Sequence, residues 1–241
     1  MTAIDVRGVS VRRGDATVLH DVTVQVESGV VCALIGMNGS GKTTLFDTLA
    51  DRTRPIGGEV RILDDTPARA RRRAALGYVP QSERIDWDFP VSVREVVAMG
   101  RQRGGRWTNR LSAADHAAVD EAIARVGLLG LEDRQIGMLS GGQRKRAFVA
   151  RGLAQEAEVL LLDEPFAGVD LPSEMALRQV IGDAAASGVT VLVSTHDVHG
   201  LADWCDAAVI LRAGRIVTSG PVASAITPEH LARAFGWEGD A

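Results

Sequence analysis

The eight residues Gly36-Met37-Asn38-Gly39-Ser40-Gly41-Lys42-Thr43 constrain the fold more than any other stretch of this chain. They fit the pattern G-x-x-x-x-G-K-[ST]. An apolar run, Val30 to Ile35, precedes them and reads as a buried strand; Thr44-Leu45-Phe46-Asp47-Thr48-Leu49 follows and reads as the start of a helix. A strand–loop–helix unit of this kind belongs inside an α/β architecture. Its glycines let successive backbone N–H groups turn inward onto a phosphate, and the helix N-terminus adds partial positive charge. Lys42 can reach β- and γ-phosphates, and the Thr43 hydroxyl can ligate Mg²⁺. Of 27 basic residues only Lys42 and Lys145 are lysines. At position 42 a compact ammonium suits the space between phosphate oxygens, where a planar guanidinium would crowd the loop.

The rest of the chain suits such a unit. Its 241 residues, 46% hydrophobic, provide for one large domain or two small ones with a developed core. A net charge of −4 gives no global basic character of the kind nucleic acid requires, so no nucleic-acid partner is expected. The basic runs at 69–73 and 101–110 read as solvated faces or partner-contacting loops. Cys32 and Cys205 make neither a metal pattern nor a disulfide framework, which suits a reducing cytoplasm. The N-terminus lacks a signal-peptide profile, and no apolar stretch approaches the ~20 residues of a membrane helix.

Residues 4–26 read as an antiparallel N-terminal sheet, with Val22 to Val26 in clean period-two alternation. Gly57-Gly58 reads as a turn into a strand from Glu59 to Leu63, and Gly77 to Gln81 as a strand ending in a loop. Residues 91–157 read as mainly helical, with Ser112 a candidate N-cap. A buried strand over Val159 to Asp163, a helix from Pro172 to about Ala186 and a strand over Val189 to Ser194 follow. Ala213-Gly214 joins a hairpin. The expected organisation is a single domain over 1–241: a core of about 1–83 and 158–241, with a helical insertion of about 84–157.

Five further elements follow the phosphate loop in order. Gln81 ends a strand. Leu139-Ser140-Gly141-Gly142-Gln143 opens a helix. The apolar strand from Val159 ends on Asp163 and Glu164. Gly168-Val169-Asp170 follows, and His196 sits just past the next strand. In this order the chain resembles the ATP-binding cassette (ABC) ATPases over essentially its whole length. The residues themselves supply part of the chemistry. Asp163, ending a buried strand, can hold a Mg²⁺ shell, and Glu164 is placed to act as general base on the attacking water. The resemblance implies the rest: a P-loop, RecA-like core with a helical subdomain and an N-terminal antiparallel β-subdomain, and ATP with Mg²⁺ as ligands. It implies that Gln81 senses Mg²⁺ and the γ-phosphate and that His196 contacts the γ-phosphate. Gly36, Asn38, Gly39, Ser40, Gly41, Lys42, Thr43 and Thr44 would hold the nucleotide. Thr43, Gln81 and Asp163 would hold the metal. Ser140, Gly141, Gly142 and Gln143 would complete the site of a second copy of the chain, which implies an ATP-sandwich dimer.

Arg13 stands where the family usually places an aromatic that stacks on adenine. Either its guanidinium plane stacks on the base or it is solvent-exposed. His199 gives an H-x-x-H spacing with His196, read here as coincidence and not as a metal site.

The run Asp86-Trp87-Asp88-Phe89-Pro90 and the stretch Asp163 to Asp170 resemble those of manganese and zinc importer ATPases. That branch implies a membrane permease, an extracytoplasmic substrate-binding protein acting through it, and a place on the cytoplasmic face of the membrane. Trp87 and Phe89 would meet the permease or pack internally. ATPases of iron-siderophore or haem importers, and a soluble ATPase of iron–sulfur assembly, remain as alternatives.

Overall fold

The computed structural model describes residues 1–81, 90–102 and 110–236. Elements alternate along the chain. β1 (Thr2–Arg13), β2 (Ala16–Glu27) and β3 (Val31–Ile35) lead to α1 (Lys42–Leu49). β4 (Gly57–Ile62), α2 (Pro67–Arg72) and β5 (Leu76–Val79) follow. Three helices come next, α3 (Val93–Ala98), α4 (Ala113–Arg125) and α5 (Gly141–Ala154). Then come β6 (Val159–Asp163), α6 (Leu171–Ala186), β7 (Thr190–Thr195) and the hairpin β8 (Ala207–Arg212) and β9 (Arg215–Pro221). α7 (Val222–Ala225) and α8 (Pro228–Phe235) close the described chain.

The strands form two sheets. One is antiparallel, in the order β2-β1-β4; the other has the order β5-β6-β7-β3-β8-β9 and is parallel except for β9. Every residue of β3, β6 and β7 is buried, as expected for parallel strands covered on both faces. Alternation along these strands separates two apolar layers. Val31, Ala33, Ile35, Leu160, Leu162, Val191 and Val193 pack with α3 to α6. Cys32, Leu34, Val159, Leu161 and Leu192 face α1 and the antiparallel sheet. Each large side chain so buried contributes about 1.5–3 kcal/mol. Both cysteine thiols lie in these layers, and burial pushes each up to about 12, so neither is a reactive thiolate.

The helical segments begin as the sequence suggests. Ser112 and Ser92 each close a capping box, with Asp115 and Glu95 respectively. The pair Gly57-Gly58 differs from expectation: it does not form a turn but opens β4. A register shift in β1 between Arg7 and Ser10 absorbs the irregularity, so Gly57 still pairs with Ser10. The helix after the phosphate loop starts at Lys42, two residues earlier than expected. The expected aromatic pair Trp87 and Phe89 lies outside the described residues. Among the described residues no helix is long and apolar enough to cross a membrane.

Candidate active site

Four strand ends meet at one edge of the large sheet. β3 leads into the phosphate loop, β6 ends on Asp163, β7 ends just before His196, and Gln81 lies two residues beyond β5. The parallel register sets Asp163 beside Ser194 and Ser194 beside Leu34. The loops therefore leave together from the carboxyl ends of the strands, where sheets of this type bind ligands.

Lys42 opens α1 and is 6% exposed. Its Nζ donates to the Gly36 carbonyl at 2.7 Å and the Met37 carbonyl at 3.3 Å, and stands 3.5 Å from Glu164 Oε1. Gly41 caps the helix at φ 109°, a conformation side-chain-bearing residues rarely adopt, and no side chain caps the helix start. The first N–H groups of α1 are thus left for a ligand. Asn38, Gly39 and the residues from Gly41 to Thr44 line a cavity of about 320 Å³, which Gln81 and Glu164 also line. The Ser40 hydroxyl, though buried, has no hydrogen-bond partner among the described residues.

Asp163 is 2% exposed. Its Oδ1 accepts from the Ser194 hydroxyl at 2.5 Å, and the Thr43 side chain lies near the same carboxyl. Oδ2 is buried without a partner among the described residues. Burial pushes this carboxyl above its ordinary value; the Ser194 and Thr43 side chains oppose that, Glu164 adds to it, and Lys42 opposes it. A buried carboxylate oxygen with nothing to hold it is costly. Beside a threonine hydroxyl it suits a hard divalent cation that takes a few protein oxygens and keeps its waters, so the residues present fit Mg²⁺. No cluster of three or more His, Cys, Asp or Glu that could hold a metal alone occurs among the described residues. The His199 backbone N–H is engaged by Asp197.

Glu164 adopts φ 48°, a strained left-handed conformation for a non-glycine residue. Its N–H donates to the Ser194 hydroxyl at 2.8 Å. Gln81 Nε2 donates to Glu164 Oε2 at 2.9 Å, and His196 Nδ1 lies 3.7 Å from the same oxygen. The structure therefore brings Lys42, Gln81, Glu164 and His196 together around one carboxylate. Two participants escaped the sequence reading. Ser194, which holds both acids, carried no signal of its own. Lys145, whose Nζ donates to the Gln81 carbonyl at 2.9 Å, was marked by being one of two lysines.

Residues 19–167 match the ABC transporter family. The chain belongs to that family. It is 43% identical over 234 residues to the manganese transport system ATP-binding protein MntA of Synechocystis sp., covering 97% of this chain and 90% of that one. It is 39% identical over 234 residues to the zinc transport system ATP-binding protein TroB of Treponema pallidum, covering 97% and 87%. Among solved structures it superposes on a chain of an ABC transporter in an inward-facing conformation with a TM-score of 0.86 at 26% identity, covering 98% of this chain and 90% of that one. An ATP-binding cassette in its ADP conformation shares the fold, with a TM-score of 0.85 at 21% identity, covering 99% and 100%. The fold is that of an ABC ATPase domain, and the chain is the ATP-hydrolysing type of subunit in this family.

In this ABC chain the signature residues stand apart from the phosphate loop. Ser140 caps α5: its hydroxyl accepts from Gln143 N at 3.2 Å, and its N–H donates to Gln143 Oε1 at 2.9 Å. The Gln143 side chain is thus occupied by the helix start. Gly142 admits no side chain, because a Cβ there would lie 2.4 Å from Ser173 Oγ in the first turn of α6. Ser140, Gly141, Gly142 and Gln143 do not line the phosphate-loop cavity. Nor does Arg13, which is half-exposed and ion-paired with Asp47 of α1.

Proposed function

We propose that this chain powers uptake of manganese or zinc by hydrolysing MgATP as one of two copies docked on the cytoplasmic face of a membrane permease. An extracytoplasmic binding protein would deliver the ion to that permease. The observation that carries the reading is the convergence of Lys42, Gln81 and His196 on Glu164 beside a phosphate loop. The relatives named for manganese and zinc transport support the cargo.

The loop N–H groups and Lys42 would hold the phosphates, with Gly36 to Thr44 forming the cradle. Lys42, now spread over two carbonyls and Glu164, would gain phosphate oxygens as stronger partners. Thr43, Asp163 and Gln81 would hold Mg²⁺, which neutralises phosphate charge. Glu164 would take a proton from the attacking water while the water oxygen bonds to the γ-phosphorus and the bond to the ADP oxygen breaks. Gln81 and His196 orient the carboxylate and the water. Ser140, Gly141 and Gly142 of a second copy would close the γ-phosphate side, with Gln143 keeping that helix start in shape. Arg13 serves the nucleotide indirectly, by bracing α1 through Asp47.

The test is transport by the chain assembled with its permease in vesicles. ATP-driven accumulation of ⁵⁴Mn²⁺ or ⁶⁵Zn²⁺, lost in Glu164→Gln, supports the reading. Hydrolysis that drives only chelated iron, the cargo named for a relative from Yersinia pestis 40% identical over 220 residues, overturns the cargo and keeps the ATPase.

A further inference from the structure

A second cavity, of about 250 Å³, shares Glu164 and His196 with the site but opens on residues given no role so far. Phe166, Arg178 and Trp204 line it. They come from three segments: Phe166 lies two residues after Glu164, Trp204 eight residues after His196, and Arg178 on α6. The Arg178 guanidinium lies 5.8 Å from the Phe166 ring centre and 5.2 Å from that of Trp204. The two rings meet edge-to-face, 5.4 Å apart at 89°. Glu174, one turn earlier on α6, pairs with Arg178 and fixes its approach. Arg178 Nε and Trp204 Nε1 are both buried without a hydrogen-bond acceptor among the described residues. Buried donors left unsatisfied cost stability, and a simple apolar plug would avoid that cost.

We propose that Arg178 is a positioning residue for ATP hydrolysis, clamping the segments that carry Glu164 and His196 onto α6 through the faces of Phe166 and Trp204. The inference rests on the ATPase reading above. Glu164 sits at φ 48°, and a strained conformation persists only where its surroundings over-determine it. Ser194 holds the backbone of Glu164 from one side. The clamp holds Phe166 on the other, and through Trp204 it ties the segment after His196 to the same helix. Its action depends on a planar cation between two aromatic faces, which lysine cannot reproduce. Arg178 does not line the phosphate-loop cavity, so it acts on turnover and not on nucleotide affinity.

The experiment measures steady-state hydrolysis of MgATP by the full-length chain in a double-mutant cycle. Arg178→Lys and Trp204→Leu should each lower kcat about tenfold with KM within about twofold, and the double variant should be no worse than either. Trp204→Phe, which keeps an aromatic face, should restore kcat to within about twofold of wild type. A variant retaining only Trp204, with Trp87, Trp107 and Trp237 changed to Phe, reports the clamp without turnover: its emission should shift when Arg178→Lys is added. Thermal melts exclude unfolding. Unchanged kcat in Arg178→Lys overturns the proposal, as does loss divided equally between kcat and KM, additive losses in the double variant, or an unmoved Trp204 emission. Absence of turnover in the wild type, or turnover surviving Glu164→Gln, overturns the ATPase reading instead.

Discussion

The carboxyl edge of the large sheet and the first turn of α5 both carry motifs, yet they leave their polar groups in opposite states. At the sheet edge the polar groups are only partly satisfied. Lys42 leans on two carbonyls and Glu164, while Asp163 Oδ2 and Ser40 Oγ are buried with no partner among the described residues. At α5 the side chains of Ser140 and Gln143 satisfy each other's backbone groups. The first region is arranged to receive a ligand between its own residues. The second is complete in itself and offers only the N–H groups of a helix start to whatever comes from outside. Such a pair suits one site divided between two copies of a chain.

The largest expected effect lies at the sheet edge. Glu164→Gln should keep nucleotide binding and lose hydrolysis by about 10²–10⁴-fold, as removal of a general base does. Binding measured by calorimetry beside a phosphate-release assay checks this, and near-wild-type turnover would break the contrast by removing its central carboxylate.

A smaller effect sharpens the claim that Asp163 is held for a cation. Because the folded-state pKa lies above the ordinary value of 3.8, this group stabilises the protein fully below that value. The contribution is lost as pH rises through the raised folded pKa. Melting temperature without metal should therefore fall over that window in the wild type and fall less in Asp163→Asn. Added Mg²⁺ with ADP should raise the wild-type curve at neutral pH and leave Asp163→Asn nearly unmoved. Parallel curves for the two proteins would show that this carboxyl is already satisfied.

The smallest effect concerns Arg13. The pair of half-exposed Arg13 with the more buried Asp47 contributes about 0–1 kcal/mol, so Arg13→Ala should barely move the melt and should change nucleotide affinity less than about threefold. A tenfold loss restored by Arg13→Tyr would mean that the guanidinium leaves Asp47 to stack on the base.

The contrast also explains what the sequence could show. The phosphate loop, the strand ending on Asp163 and Glu164, and the helix opened by Ser140 were legible because each packs its chemistry into adjacent residues beside a periodic apolar element. The opening of β4 at Gly57 was not, because a register shift in a neighbouring strand decides it. Ser194 gave no sign, since its role is set by the pairing of β6 with β7. Arg178, Phe166 and Trp204 are spread over 39 positions, 166 to 204, and only folding brings them to one cavity. The ion pair of Arg13 with Asp47 was likewise illegible, because 34 positions separate the two residues and only the fold brings β1 against α1.

The division of one site between two copies is tested most directly by mixing subunits. Lys42→Ala spoils the phosphate loop and Ser140→Arg spoils the signature helix, so each pure variant should lack turnover. In a heterodimer of the two, one composite site is damaged twice and the other is intact. A one-to-one mixture should therefore recover about a quarter of wild-type activity, given random pairing and independent sites. Activity no greater than the sum of the two pure variants, with heterodimers shown to form, would contradict the account.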